Sequence, residues 1–187
     1  PPPVKAKDAD SGQYLPMVER VSGRIVQAAG LAQQTQWRVA LVRSKEVNAN
    51  ASADGTIVVY TGILPIAESE AGLAVILGHE VAHVVARHSG ERLSQMPLAQ
   101  GVTNAPAAFA SPQYQAPLGA ALGLGAQYGV LLPFSRHHES EADHLGIYYM
   151  AKAGYDPAEA PRLWERMSAQ GKSGTPEFMS THPSDAT

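Results

Sequence analysis

The sequence predicts a single domain of the α+β class, mainly helical with a small antiparallel sheet. The chain has 187 residues, of which 44% are hydrophobic, which is enough for one well-filled core and short for two. Segments with helical periodicity lie on both sides of a short region, 37–61, whose residues favour strands. No stretch holds about 18 uninterrupted apolar residues, so we expect no membrane span in this sequence.

Charge and cysteine content exclude several function classes. The net charge is −3, from 17 acidic and 14 scattered basic residues, which argues against electrostatic binding of nucleic acid. Cysteine is absent, so thiolate metal sites and disulfides are excluded. Residues 1–10 are rich in Pro, Lys and Asp and are expected to form a flexible tail. The chain opens with prolines and no methionine, so we expect a processed start with any signal peptide or anchor upstream.

The first half of the chain is predicted to form one helix and the sheet. Apolar residues at helical spacing predict an amphipathic helix over 13–31. Alternating side chains predict a strand over 37–42, and a run of β-forming residues predicts another over 56–61. Between them lie a short polar segment, 48–52, and a turn at Asp54-Gly55.

The second half is predicted to be helical. A strongly apolar helix is expected over about 69–94, and a second over 135–153, closed by Gly154. A third helix is expected to open at 156–159, which combines an N-cap, a proline and a capping-box acid. Residues 97–133, rich in Ala, Gly and Pro, predict either a flap that faces substrate or membrane, or an irregular surface segment.

The apolar helix contains the clearest chemical pattern, His79-Glu80-Val81-Ala82-His83. His79 and His83 are four residues apart, so they lie within about 40° of each other and can bind one metal ion. Glu80 lies one step round the helix, where it can meet an activated water. This is the H-E-x-x-H pattern of zinc peptidases, in which the acid is the general base. Buried His and Glu side chains are costly unless they are paired or bind a metal.

A catalytic zinc ion takes three protein ligands and keeps one position open. A histidine six residues after His83 would be one source, but position 89 is serine. His88 falls about 180° from His79 on a continuous helix, so it is predicted to be a surface histidine.

An acidic helix further along the chain offers the other source. Glu139 and Asp143 are four residues apart and share a face, so one can bind zinc while the other accepts the N–H of a ligating histidine. Glu141 points about 160° away from Asp143 and is predicted to be solvated. The pattern assigns no role to His137 or His138.

These motifs, taken together, resemble zinc metallopeptidase family forty-eight, which includes the HtpX, CAAX prenyl protease and BepA-like enzymes. The resemblance is carried, in chain order, by Asn48-Ala49 with Gly55, Thr61–Leu64, Gly78–His83, Ser135–Gly146, Ala153–Pro157 and Thr181–Pro183. It implies a zincin-type peptidase domain that occupies residues 1–187. The transmembrane helices of the HtpX and prenyl protease branches are not found in this sequence, so it resembles the soluble envelope branch.

By position, the resemblance implies one Zn²⁺ per chain, held by His79, His83 and Glu139, with Glu80 as catalytic base and Asp143 supporting a ligand. It implies an endopeptidase that acts on extended or unfolded protein segments in envelope quality control. The expected partners are protein or peptide substrates and an envelope complex. The expected location is the bacterial periplasm or cell envelope, with a lipid anchor upstream left open.

The resemblance also implies an edge strand at Asn48, Ala49 and Asn50 that pairs with an extended substrate. His182, which precedes a proline, would approach the metal, either to stabilise the oxyanion or to hold the enzyme inactive as a fourth ligand. The alternative to a protease is a zinc-stabilised, chaperone-like binding module with little proteolysis. Glu80 favours the protease, because a binding module needs no acid beside the metal.

Overall fold

The computed structural model describes residues 9–88, 132–170, 178–179 and 182. The helices of this part are α1 (Ala9–Ala28), α2 (Leu64–Ala67), α3 (Glu70–Val85), α4 (Leu132–Lys152) and α5 (Glu159–Gln170). The strands are β1 (Arg38–Val42), β2 (Ala49–Ala51) and β3 (Thr56–Tyr60), and a 3₁₀ turn, Thr61–Ile63, leads from β3 into α2. The α+β class, mainly helical with a small sheet, is confirmed. No helix within these residues is long and apolar enough to cross a membrane.

Two predicted segments lie largely outside the described residues. The flap predicted over 97–133 overlaps them only at its last two positions, where α4 begins. The tail predicted over 1–10 overlaps them at its last two positions, which already belong to α1. The organisation of the whole chain as one domain stays a prediction.

The sheet is mixed, so the prediction of an antiparallel sheet was wrong for one strand pair. The strand order is β1-β3-β2, in which β1 runs parallel to β3 and β2 runs antiparallel to it. The tight turn at Gly55, with a φ of 86°, joins β2 and not β1 to β3. Parallel strands need a connection of about a dozen residues, which segment 43–55 provides while also forming β2. β2 is therefore an edge strand.

The core lies between α1, the sheet, α3 and α5. Its fully buried side chains include Val18, Val21, Ile25, Leu41, Ile57, Val59, Leu73, Ile76, Leu77, Leu163 and Met167. α3 is buried on nearly every face, as its apolar sequence predicts for a central helix. The H-E-x-x-H motif therefore lies on the most buried helix of the described structure.

Both ends of α3 are defined by specific residues. At its start, the hydroxyl of Ser69 accepts a hydrogen bond from the N–H of Gly72 at 3.1 Å. At its end, the helix stops at Val85 instead of continuing to about residue 94, and Arg87 has a φ of 59°. A left-handed residue at this position turns the chain out of the helix. The next residue, His88, therefore does not continue the α3 spiral.

The backbones of α3 and α4 are in close contact at two glycines. A Cβ atom on Gly146 would lie 2.7 Å from the amide nitrogen of His79. A Cβ atom on Gly78 would lie 2.6 Å from the carbonyl oxygen of Gly146. Because both obstacles are backbone atoms, only glycine fits at these two positions without moving a helix.

We expect Gly146→Ala to lower the free energy of unfolding by at least the 1–3 kcal/mol that is roughly typical of overpacking. Gly23→Ala is the matched control, because Gly23 is also helical but an added Cβ would meet nothing within 4 Å. The control should raise the free energy of unfolding by about 0.5–1 kcal/mol through helix propensity. Urea denaturation measures both changes, and an equal gain from the two substitutions would contradict the close contact.

Candidate metal centre

Two helices supply the candidate metal centre. α3 provides His79, Glu80 and His83, and α4 provides Glu139 and Asp143. The glycine contact between the helices holds α4 directly against the H-E-x-x-H motif. The structure thus brings together all five residues that the sequence places at a metal site.

Three ligand atoms converge at this centre. The Nε2 atoms of His79 and His83 are 3.0 Å apart, and Oε2 of Glu139 lies 3.2 Å from the first and 3.5 Å from the second. Ligand atoms that bind a tetrahedral zinc ion at about 2.0–2.1 Å are separated from one another by about 3.3 Å. The spacing of the three atoms therefore fits one zinc ion.

The carboxylate of Glu139 also fits a metal ligand. It is buried, and no group of the described residues donates a hydrogen bond to either of its oxygens. Burial raises the pKa of Glu139, but the neighbouring imidazoles of His79 and His83 hold it well below its usual range. A buried, charged carboxylate without donors is costly, and a bound cation would satisfy it.

Asp143 orients the first histidine. Its Oδ1 lies 2.8 Å from Nδ1 of His79, so the Nδ1–H donates to the carboxylate, and in the neutral ring the lone pair of Nε2 faces the other ligand atoms. Burial lowers the pKa of His79, but its contacts with Asp143 and Glu139 have the larger, opposite effect. Together they raise the pKa to about 9. The two acids thus create surroundings that favour positive charge at this point.

Glu80 is buried beside the ligands without belonging to them. Burial raises its pKa to about 7, although nearby His79 and the main-chain N–H of Ala51 both lower it. Its Oε1 receives no hydrogen bond from the described residues and lies 3.4 Å from Nε2 of His182. A carboxylate with a pKa near 7 can both take and return a proton at neutral pH.

His182 lies close to the same centre. It offers a ring nitrogen within 4.8 Å of the ligand atoms of His79, His83 and Glu139. Its Nδ1 lies 3.1 Å from the carbonyl oxygen of Phe178, which accepts the Nδ1–H and leaves Nε2 unprotonated. Burial lowers the pKa of His182 to about 4, so the ring is neutral near pH 7.

His88 was wrongly predicted to lie on the surface. It is only 4% exposed, and its Nδ1 lies 2.8 Å from Nδ1 of His83. The prediction assumed a continuous helix, whereas the break at Arg87 directs His88 back towards the motif. Neither glycine nor proline marks this break in the sequence. Glu141 is 44% exposed but pairs with Nε2 of His88 at 3.1 Å, so it is not simply solvated.

The two adjacent histidines of α4 have different surroundings. His138 is buried and stacks on His88, with ring centroids 4.1 Å apart and planes 14° apart. His137 is exposed.

The main-chain N–H and C=O groups of successive residues in the edge strand point alternately towards β3 and away from it. The carbonyl oxygen of Asn48 accepts a hydrogen bond from the N–H of Tyr60. Asn50, two residues further along β2, lies opposite Val58, two residues before Tyr60. The main-chain groups of Asn48 and Asn50 therefore face β3, and those of Ala49 and Ala51 face away from it. Of the three residues predicted to contact substrate, only Ala49 directs its main chain away from β3, and its N–H donates to Oδ1 of Asn48 at 2.9 Å.

Comparison with known proteins identifies the family. A model described as peptidase family M48 matches residues 15–187. Mitochondrial metalloendopeptidase OMA1 of Schizosaccharomyces pombe is 40% identical over 176 residues, which are 89% of this chain and 48% of that protein. OMA1 of Arabidopsis thaliana is 38% identical over 79% of this chain and 29% of its own length. The β-barrel assembly-enhancing protease of Yersinia pestis is 31% identical over 80% of this chain and 32% of its own length.

The chain spans about half or less of the length of these relatives. The family match nevertheless covers nearly all of its residues, including both halves of the metal centre. The family that the motifs resemble is therefore confirmed. This chain belongs to peptidase family M48, a family of zinc metallopeptidases.

Proposed function

We propose that this chain is a zinc-dependent endopeptidase that hydrolyses peptide bonds in extended or unfolded protein segments. The observation that supports this most directly is the convergence of three ligand atoms beside the buried carboxylate of Glu80. His79, His83 and Glu139 would hold one Zn²⁺ per chain, and Asp143 would keep His79 in the binding tautomer.

The protein's own groups account for the proton transfers of the proposed reaction. A bound zinc ion would supply Lewis acidity and lower the pKa of a coordinated water towards about 7. Glu80 accepts a proton from the attacking water and returns it to the leaving amine nitrogen. Burial raises the pKa of Glu80, which makes its carboxylate a stronger base for the first of these transfers.

The edge strand is the proposed substrate-binding element. β2 lies beside α3, at the edge of the sheet, and the main-chain groups of Ala49 and Ala51 point away from β3. The carbonyl oxygens of these two residues could accept hydrogen bonds from an extended peptide that adds as a strand, whereas their N–H groups donate to Oδ1 of Asn48 and to Glu80. Main-chain pairing reads little side-chain identity, which agrees with unfolded segments as substrates.

A second candidate function is a zinc-bound, chaperone-like binding module that is held inactive. The observation that favours it is the position of His182, whose ring nitrogen is close enough to the three ligand atoms to be a fourth ligand. Four protein ligands close a zinc site and are typical of structural zinc. In the enzyme, the same imidazole would instead stabilise the oxyanion of the substrate, a role that requires a proton on Nε2 in addition to the one on Nδ1.

We propose protein quality control in the bacterial envelope as the setting, with a lipid anchor upstream and an envelope partner complex as parts of this proposal. Relatives named β-barrel assembly-enhancing protease support an envelope location. Relatives named mitochondrial metalloendopeptidase make mitochondria the alternative setting. Protein substrates are common to both settings.

Glu80→Gln is expected to lower kcat for cleavage of unfolded casein by about 10²–10⁴-fold, because the amide cannot act as a base. Zinc content should remain that of the wild type, since Glu80 is not among the proposed ligands. Glu165→Gln, an identical change at an exposed position of α5, should leave both values unchanged. Full activity of Glu80→Gln with zinc bound would exclude the proposed base.

Glu139→Gln is expected to weaken zinc binding by more than the roughly 10–100-fold that is typical when a residue supporting a ligand is lost. The amide keeps the shape of the side chain but removes the charge that faces the two histidines. Competition with a chromophoric chelator measures the zinc Kd. Unchanged affinity would remove Glu139 from the ligand set.

His182→Ala distinguishes the two candidate functions, because the two roles of this imidazole predict opposite results. Increased cleavage of casein is expected if His182 closes the zinc site, and decreased kcat with unchanged zinc affinity is expected if it stabilises the oxyanion. Measurement of kcat alongside the zinc Kd separates these outcomes. Unchanged values in both assays would reject both roles.

A further inference from the structure

We propose that His88 and Glu141 are positioning residues for the second metal-ligating histidine, His83. The carboxylate of Asp143 contacts the imidazole of His79 directly. The carboxylate of Glu141 contacts His88, and the imidazole of His88 contacts His83. The inference rests on the proposed zinc site, and it concerns residues to which the H-E-x-x-H motif assigns no role.

The geometry is a continuous chain of hydrogen-bonding atoms. Oε2 of Glu141 lies 3.1 Å from Nε2 of His88, and Nδ1 of His88 lies 2.8 Å from Nδ1 of His83. The chain begins on α4, crosses to the residue just after the break in α3, and returns to α3. His83 is thereby contacted on the side of its ring opposite to the ligand atoms.

The chemistry of these atoms determines which nitrogen of each ring holds the proton. A carboxylate can only accept, so Nε2 of His88 donates to Glu141. The remaining nitrogen of a neutral His88 ring then accepts, so the Nδ1–H of His83 donates to it. Nε2 of His83 is left with its lone pair, directed at the ligand cluster 3.0 Å from Nε2 of His79.

The opposite assignment would be incompatible with the metal site. If Nδ1 of His83 accepted a hydrogen bond, its Nε2 would hold the proton and could not bind zinc. The contact between His83 and His88 therefore selects the metal-binding tautomer before zinc arrives.

Two further observations show that His88 is held in place. It is only 4% exposed, and it stacks on the buried ring of His138, whose neighbour in sequence is the ligand Glu139. The break in α3, with the left-handed Arg87, brings His88 into this position. A ring fixed by packing on one face and by hydrogen bonds at both nitrogens can orient its neighbour accurately.

The zinc Kd of the full chain, measured by chelator competition, tests the proposal. His88→Phe keeps an aromatic ring for the stack but removes both nitrogens, and it should raise the zinc Kd by about 10–100-fold. His88→Asn can place its Oδ1 near the position of Nδ1 and should restore most of the affinity. His144→Phe, the same substitution at an exposed position of α4, should leave the Kd unchanged.

Nitrogen NMR of the zinc-loaded wild-type protein gives a readout that needs no substitution. With ¹⁵N-labelled histidine, two-bond correlations should identify His88 as the Nε2–H tautomer. An Nδ1–H tautomer of His88, or an unchanged zinc Kd in a folded His88→Phe variant, would overturn the proposal and leave the zinc site intact. Failure of the wild-type chain to bind zinc would instead overturn the proposed function, and this assignment with it.

Discussion

The backbone contact between α3 and α4 is the constraint on which the metal centre depends. At Gly78 and Gly146 the two helices approach so closely that a single added carbon on either residue would overlap the other backbone. This contact lies directly beside His79, and it fixes the distance from which Glu139 and Asp143 reach across. A larger separation would move the carboxylate of Glu139 away from both imidazoles, and the three ligand atoms would no longer match one ion.

The close contact also explains how charged groups are tolerated on the most buried helix. His79, Glu80 and Glu139 are all nearly inaccessible to solvent, where unpaired charges are expensive. The cost of burying these groups is lowered because each carboxylate lies beside an imidazole. Oxygens of Glu80 and Glu139 nevertheless lack hydrogen-bond donors among the described residues. Such unsatisfied groups are typical of sites that are completed by a ligand, and here the geometry fits a cation.

The two histidines of the proposed metal site, His79 and His83, have different hydrogen-bond partners. Asp143 contacts His79 directly, whereas Glu141 reaches His83 only through His88. A carboxylate bonded directly to an imidazole makes the ring a stronger base than a neutral imidazole does. In the proposed site, His79 is therefore the more strongly polarised ligand, and His83 is the one whose orientation depends on a residue outside the helix.

Sequence reasoning determined the local parts of this protein. It established the α+β class, the approximate extents of α1, α4 and the strands, and the shared helix faces of His79 with His83 and of Glu139 with Asp143. These features follow from periodicity and spacing within single elements, so they need no knowledge of the rest of the chain.

Only the tertiary structure decided the features that join separate elements. The parallel pairing of β1 with β3 depends on which strands a tight turn connects, and alternation of side chains does not contain that information. The burial of His88 depends on a one-residue change of backbone direction at Arg87, which reverses the face predicted by continuous helical geometry. The separation of α3 and α4 depends on two glycines that meet across 68 positions of sequence, from Gly78 to Gly146. Local sequence sets which face a side chain occupies, but contacts between distant segments set the distances at which the chemistry of this site operates.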